Sequence, residues 1–285
     1  MDNIDSCLYI EEERLHNYAA SAAKLLLPQD NCPGTEAAAL LRRSFGEIRR
    51  CHQAVERRYG SLAAPPSACQ WLLDNWYMVQ REYAGSVQEL KKARRLRCCS
   101  QGIVVMELCR ELVRSGLGKV TEERCGIFLS GFQSVTVLQR RELELFPTAL
   151  RCAIIDSIAQ VCRKMQYASD TTSHAQALSA LFTSLRLFSV LDLEKLLARA
   201  DVSGGILSAD PSGDYERMDA ATRREYMLRL EKLARRAGLE EQVLARSLIK
   251  RARQEGRHIG FYLFKKPSPL WSGLYIVLNL LLPLT

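Results

Sequence analysis

The stretch TEAAALLRRSFGEIRRCHQAVERRYG (Thr35–Gly60) decides the fold class, because its apolar residues recur at helical spacing. They follow the i, i+3, i+4 pattern that places side chains on one helix face: Leu40, Leu41, Phe45, Ile48, Cys51 and Val55. Arginine and glutamate are frequent at the other positions, and the turn-forming SLAAPPSA (61–68) ends the pattern. The stretch therefore predicts one long amphipathic helix with a single buried face.

Helical periodicity extends along nearly the whole chain of 285 residues. Strong examples are GIVVMELCRELVRSG (102–116) and TVLQRRELELFPTALRCAIIDSIAQVCRKM (136–165), where Pro147 suits the first turn of a helix. A short basic helix is predicted at 87–97. No alternating strand pairs with hairpin turns are evident, and no period of roughly 20–50 residues repeats. The sequence predicts an all-α fold, a bundle or array of many helices.

The domain organisation follows from changes in composition along the chain. The polar, turn-prone QYASDTTSHAQ (166–176) separates a predicted helical subdomain at 1–166 from a second one at 167–266. Residues 267–285 differ, because LWSGLYIVLNLLLPL (270–284) is almost entirely apolar, although a full membrane span needs about 20 residues. Basic residues precede this run, so the positive-inside rule places residues 1–266 in the cytoplasm. The run is predicted to be membrane-proximal or a partial transmembrane segment; a buried C-terminal core helix is the alternative.

The net charge of +8 and the pI near 9.0 restrict the possible classes of binding partner only slightly. Such an excess suits nucleic acid or an anionic membrane face, but an ordinary solvated surface also carries basic residues beside acidic ones. Neither a recognition-helix signature nor interleaved stacking aromatics accompany KKARRLR (91–97). No nucleic-acid partner is therefore expected.

The residues that bind metals or catalyse reactions form no recognised motif. The ten cysteines include no CxxC pair, and the four histidines share no metal-ligand spacing with them. Reduced, buried thiols in a cytosolic compartment are predicted, and no cofactor or metal is expected. SGLGKV (115–120) lacks the first glycine of a phosphate loop, and Val120 replaces its Ser or Thr. Nothing in these patterns argues for a self-sufficient enzyme.

The stretch WLLDNWYMVQREY (71–83) places two polar residues among large apolar ones. In a helix that starts at Ser67, one stripe is formed by Leu72, Trp76, Val79 and Tyr83. Asn75 falls at the edge of that stripe and Asp74 on the side of Arg81. Asn75 is therefore predicted to be a buried polar group that fixes helix packing, with Asp74 at the boundary of the core.

Several motifs in collinear order resemble one known family. SACQWLLDNWYMVQREY (67–83), ELELFPTALRCAIIDSIAQVC (142–162) and SLRLFSVLDLEKLL (184–197) are followed by the most specific pair, DPSGDYERMDAATRREY (210–226) and HIGFYL (258–263). Together they resemble the N-terminal region of bacterial cyclic β-1,2-glucan synthases, over roughly residues 10–280. Leu193 and Phe261 depart from the family's aromatic residues. The positions that match the motifs are Trp71, Asp74, Asn75, Pro147, Arg151, Asp210, Tyr215, Asp219, Arg223, Tyr226, His258, Gly260 and Tyr262.

The resemblance implies a membrane-bound, UDP-glucose-dependent glycosyltransferase at the cytoplasmic face of the bacterial inner membrane. In that family the transferase domain lies downstream, so the chain is expected to be truncated before it and inactive alone. It would scaffold or regulate, with the transferase domain or membrane segments as partners and the C-terminal segment as contact with the inner membrane. The alternative is a free-standing helical interaction protein that binds an anionic partner, either acidic lipid or nucleic acid.

Two interpretations of the motif positions are open. Turn and cap chemistry accounts for Asp210 and Asp219, and His258 suits a hydrogen-bonded position at a helix exit. Arg151 is expected to pair with Glu142 or Glu144. A surface that docks the membrane or the transferase domain is the other interpretation.

Overall fold

The computed structural model describes residues 9–165, 172–187 and 193–264, and the all-α prediction is confirmed. Contacts divide the chain into two compact units. The first comprises Met1–Thr136 and Arg141–Leu196, and the second comprises Val137–Arg140 and Leu197–Thr285. The apolar run at 270–284 lies outside the described residues, and the boundaries at 166 and 266 stay predictions.

The first unit consists mainly of long helices that are amphipathic or apolar, as the periodicity predicts. They are α1 (Glu12–Leu25), α2 (Thr35–Tyr59), α3 (Ser67–Asp74), α4 (Trp76–Lys92), α5 (Val104–Ser115), α6 (Glu122–Gln133), α7 (Arg140–Met165) and α8 (Thr172–Leu187). Helix α9 (Leu193–Ala200) follows. Thr121 is the N-cap of α6, because its side chain accepts a hydrogen bond from the backbone N–H of Arg124.

Helix α7 supplies much of the core of the first unit. Its buried apolar side chains include Phe146, Leu150, Ile154, Ile155 and Ile158. Among the described helices it alone is long and apolar enough to cross a membrane, with a mean hydropathy of 1.3, and 67% of its most apolar window is buried inside the fold. Pro147 lies within this helix rather than in a first turn, because α7 begins seven residues earlier, at Arg140.

The helix predicted from Ser67 to Tyr83 is interrupted at Asn75. This residue has φ −115° and ψ 9°, outside the helical region, and it separates α3 from α4. Helix α3 begins at Ser67 as predicted, with Pro66 as its N-cap residue. Periodicity alone did not reveal the break, since a one-residue interruption leaves the apolar stripe almost in register.

A small antiparallel sheet lies among the helices of the first unit, and the sequence did not predict it. Its strands, in the order β1-β2-β3, are β1 (Asp30–Cys32), β2 (Leu96–Cys99) and β3 (Gly102–Ile103). The basic helix predicted at 87–97 is therefore wrong in its second half. Helix α4 ends at Lys92, and Arg95 adopts a left-handed conformation with φ 56° before β2 begins.

A disulfide corrects the prediction that the cysteines are reduced. Cys32 on β1 and Cys98 on β2 are bonded, with their Cα atoms 6.2 Å apart. The remaining cysteines of the described residues are free and buried, as predicted: Cys51, Cys69, Cys99, Cys109, Cys125, Cys152 and Cys162. Sequence spacing did not reveal the bonded pair, because 66 residues separate its members.

The second unit is built from short helices around two longer ones. They are α10 (Val202–Leu207), α11 (Asp214–Arg217), α12 (Ala220–Ala237), α13 (Glu241–Glu255) and α14 (Gly260–Phe264). The stretch at 202–217 thus contains two short helices. Left-handed glycines end α12 and α13, at Gly238 and Gly256. The core is formed largely by Leu207, Tyr215, Met227, Leu230, Leu244, Leu248, Ile249, Ile259 and Leu263.

Candidate functional site

Asp210 joins the two most specific motifs of the sequence inside the second unit. The residue is only 5% exposed, and its Oδ1 atom accepts a hydrogen bond of 3.0 Å from the backbone N–H of Ile259. Its Oδ2 atom accepts one of 2.6 Å from the Ser212 hydroxyl. The carboxylate therefore closes its own turn and also holds the chain that enters α14, 49 residues later.

His258 completes this contact from the second motif. Its Nδ1 atom accepts a hydrogen bond of 2.9 Å from the backbone N–H of Gly260. A ring nitrogen that accepts a hydrogen bond carries no proton, so the proton of the neutral ring lies on Nε2, 3.4 Å from Asp210 Oδ2. Nδ1 is thus hydrogen-bonded, whereas Nε2 is buried beside Asp210 without a hydrogen bond.

Two tyrosines pack around the pair formed by Asp210 and His258. The Tyr226 ring lies 5.8 Å from the Tyr215 ring and 6.0 Å from the His258 ring. Burial raises the pKa of Tyr215 to about 12, so its hydroxyl stays protonated. A Cβ atom on Gly260 would lie 2.5 Å from the Tyr226 hydroxyl and 2.7 Å from the His258 ring. A larger residue at this position would therefore require the Tyr226 and His258 side chains to shift.

The structure therefore brings five of the predicted positions together, and we call them the motif cluster: Asp210, Tyr215, Tyr226, His258 and Gly260.

The other predicted positions of the second unit lie outside the motif cluster. Asp219 is the N-cap of α12, as predicted, and accepts a 2.7 Å hydrogen bond from the backbone N–H of Thr222, which lowers its pKa. Arg223 is exposed and donates to the carbonyl of Met218. The Tyr262 hydroxyl donates to Glu255 at 2.9 Å. These contacts cap helices and tie neighbouring elements.

The predicted positions around Asn75 in the first unit are held in local packing. Asn75 is 1% exposed, as the helical wheel predicts, and its amide donates to the carbonyl of Trp71 at 2.8 Å. Its amide oxygen accepts a hydrogen bond from Arg186 of α8. The Trp71 ring stacks on the ring of Phe182, which also lies on α8, with centroids 6.5 Å apart. Asp74 is exposed, beyond the predicted boundary of the core.

Arg151 on α7 has a partner that the sequence did not predict. Its Nε atom lies 3.2 Å from Glu82 of α4. The positions predicted in the first unit therefore join α7 to α4, and the α3–α4 junction to α8, without forming one common site.

Sequence reasoning missed a group of buried charges in the second unit. Arg140 donates from Nε and Nη2 to Glu231, at 3.1 and 2.8 Å, and its backbone N–H donates to Glu241 at 3.2 Å. Both carboxylates are less than 10% exposed. Asp201, the N-cap of α10, has its pKa raised by burial. Spacing gave no signal, because Glu231 and Glu241 look like exposed helix residues in sequence.

Glu241→Gln is expected to stabilise the second unit by about 2 kcal/mol at pH 8. Burial raises the Glu241 pKa from its ordinary value of 4.5 to about 7, so the folded state binds its proton more tightly than the unfolded state does. The native chain therefore loses stability as the pH rises from about 4.5 to about 7, and the glutamine variant avoids that loss. Thermal unfolding followed by circular dichroism across this range measures the difference. Glu225→Gln, at an exposed position of α12, is the control; an equal response of both variants would contradict the prediction.

The polar side-chain atoms of Asp210 and His258 in the motif cluster are buried or hydrogen-bonded. A general base needs a nitrogen or carboxylate that can reach a substrate proton. Nδ1 of His258 accepts a hydrogen bond, its Nε2 is buried beside Asp210 without a hydrogen bond, and Asp210 is buried and hydrogen-bonded. Within residues 9–165, 172–187 and 193–264, no three His, Cys, Asp or Glu side chains are grouped so that they could hold a metal ion. The arrangement is suited to holding a fold together.

In comparisons with known proteins, no family model and no curated protein matches this chain.

Proposed function

We propose that the chain is a non-catalytic helical module of a membrane-bound cyclic β-1,2-glucan synthase, a UDP-glucose-dependent glucosyltransferase. It scaffolds or regulates the transferase domain of that enzyme from the cytoplasmic face of the bacterial inner membrane. The partners are the transferase domain or the membrane segments, and the apolar run at 270–284 contacts the membrane.

The observation that carries the proposal is the hydrogen bond between Asp210 and the backbone N–H of Ile259. It joins the two motifs on which the resemblance depends most, although 49 residues separate them. Two stretches that carry the resemblance and also pack on each other support a shared fold of this region. The same contact occupies the Asp210 carboxylate, which supports a scaffolding role over a catalytic one.

The membrane part of the proposal rests on the sequence at 270–284. Helix α7 also has the length and composition of a span, but two thirds of its apolar window is already covered by the fold. Its Glu142 side chain, 1% exposed, is paired with Arg97. These contacts are those of a core helix, so α7 does not carry the proposal.

Affinity capture from solubilised membranes of the organism that encodes the chain tests the function. A tagged full-length chain should be recovered in the membrane fraction, together with an activity that transfers glucose from UDP-glucose into β-1,2-linked glucan. The purified chain alone should neither transfer glucose nor bind UDP-glucose. Recovery in the soluble fraction without that activity would contradict the proposal, and so would UDP-glucose binding by the chain itself.

A free-standing helical protein that binds an anionic partner is the second candidate. It is favoured by Arg246, Lys250 and Arg253, three exposed cations on α13 that pair with no carboxylate of the described residues. This candidate predicts a soluble chain whose capture yields no glucan synthesis and whose binding weakens as salt concentration rises.

A further inference from the structure

Helix α13 and the end of α10 line an open groove in the second unit. Its volume is about 440 Å³. The floor is apolar, with Ile206 and Ile249, and the rim is basic, with Arg246, Lys250 and Arg253; the exposed Ala209 lies at the edge. We call this feature the basic groove.

The three rim cations lie on one face of α13, because their spacing is i, i+4 and i+7. All three are exposed, and no carboxylate of the described residues forms an ion pair with any of them. By contrast, the adjacent Arg251 is paired with Glu255 at 2.7 Å.

The orientation of Arg253 is set at the edge of the groove. Its Nη2 atom donates to the carbonyl of Ala209, at 3.4 Å, which directs the guanidinium along the rim. Three like charges on one helix face repel one another, and an anion bound among them removes that repulsion. The groove therefore combines a positively charged rim, which suits an anion, with an apolar floor, which suits hydrocarbon.

We infer that the basic groove binds the phosphate headgroup of an anionic phospholipid. This inference rests on the proposed function, because that function brings the chain to an anionic cytoplasmic membrane face. A phospholipid matches the groove in both respects: its phosphate pairs with the rim, and the adjoining hydrocarbon covers the floor of Ile206 and Ile249. In sequence, Lys265 and Lys266 and the apolar run at 270–284 follow α13 closely, so the same part of the chain carries the other membrane-directed residues.

Vesicle flotation with the full chain tests the inference. Vesicles of phosphatidylcholine alone are compared with vesicles that also contain phosphatidylglycerol. The triple variant Arg246→Gln, Lys250→Gln, Arg253→Gln should bind the anionic vesicles about tenfold or more weakly than the native chain. The matched control removes three exposed arginines of α2 (Arg42→Gln, Arg49→Gln, Arg50→Gln), so both variants have the same net charge. The control should bind almost as the native chain does.

Four outcomes would overturn the inference. Equal losses in the two variants would mean that net charge alone drives binding. Equal binding to both kinds of vesicle would mean that the headgroup charge is not recognised. Displacement of the chain by inorganic phosphate, but not by chloride at matched ionic strength, would assign the groove to a free phosphate. Tighter binding to a single-stranded oligonucleotide, lost in the groove variant, would assign it to nucleic acid. Each result is independent of glucan synthesis, so it is distinguishable from a failure of the proposed function.

Discussion

Glu142→Ala is expected to destabilise the first unit by about 3–5 kcal/mol, because it leaves a buried guanidinium without its counter-charge. Arg97 on β2 donates from Nε to Glu142 Oε1 at 2.9 Å and from Nη2 to Oε2, so the pair is bidentate. The two side chains are 9% and 1% exposed. Urea unfolding followed by tryptophan fluorescence measures the loss, since Trp71 and Trp76 both lie in the first unit.

Two controls distinguish the stability lost when a buried ion pair is broken from the stability lost when a more exposed carboxylate is removed. Glu47→Ala breaks another ion pair to α7, with Arg163, but that arginine is 49% exposed, so the cost should stay below about 1 kcal/mol. Combining Arg97→Met with Glu142→Leu should recover most of the stability, because apolar side chains of similar size avoid the buried charge. If Glu142→Ala cost no more than Glu47→Ala, the pair would not be the buried anchor described.

This pair illustrates what the sequence could predict and what it could not. The structural role expected for Arg151 and Glu142 is reasonable from their places on a core helix, but the sequence did not predict the distant partners that the structure gives them. Arg151 pairs with Glu82, and Glu142 with Arg97, which lies 45 residues earlier and on a strand. Helical periodicity specifies which face of a helix is buried, but not which distant element covers that face.

The fold was predictable where local chemistry decides it. Apolar spacing identified the long helices, and the N-cap Asp219 was predicted because a cap bonds a backbone N–H only three residues away. The three short strands were missed, because strands of two to four residues have too little alternation to compete with the neighbouring helix signals. Their pairing also depends on residues 30–32 meeting residues 96–98.

The candidate site was predictable as a set of residues, but not as an arrangement. The sequence identified all five members of the motif cluster, while the contact of Asp210 with Ile259 becomes visible only in three dimensions. The buried group of Arg140, Glu231 and Glu241 was not identified at all, because burial of a charged helix residue depends on tertiary packing.

Gly131→Ala is expected to destabilise the first unit by about 2–3 kcal/mol, although alanine favours helix more than glycine does. Gly131 on α6 faces the backbone of α1, where an added Cβ would overlap the carbonyl oxygen of His16 and lie 2.9 Å from its C and Cα atoms. Backbone atoms cannot rotate away as a side chain can, so the two helices must separate and lose part of their packing. Urea unfolding followed by tryptophan fluorescence again measures the change.

Gly126→Ala on the same helix is the matched control. The nearest atom to its added Cβ is Leu196 Cδ1, at 3.9 Å, which is an ordinary van der Waals contact. Without a clash, the helix preference of alanine should stabilise this variant by about 0.5–1 kcal/mol. The two substitutions are chemically identical and five residues apart in α6, so the opposite signs isolate the contact with His16. If Gly131→Ala were as stable as Gly126→Ala, close backbone packing between α1 and α6 would not be what stabilises this part of the fold.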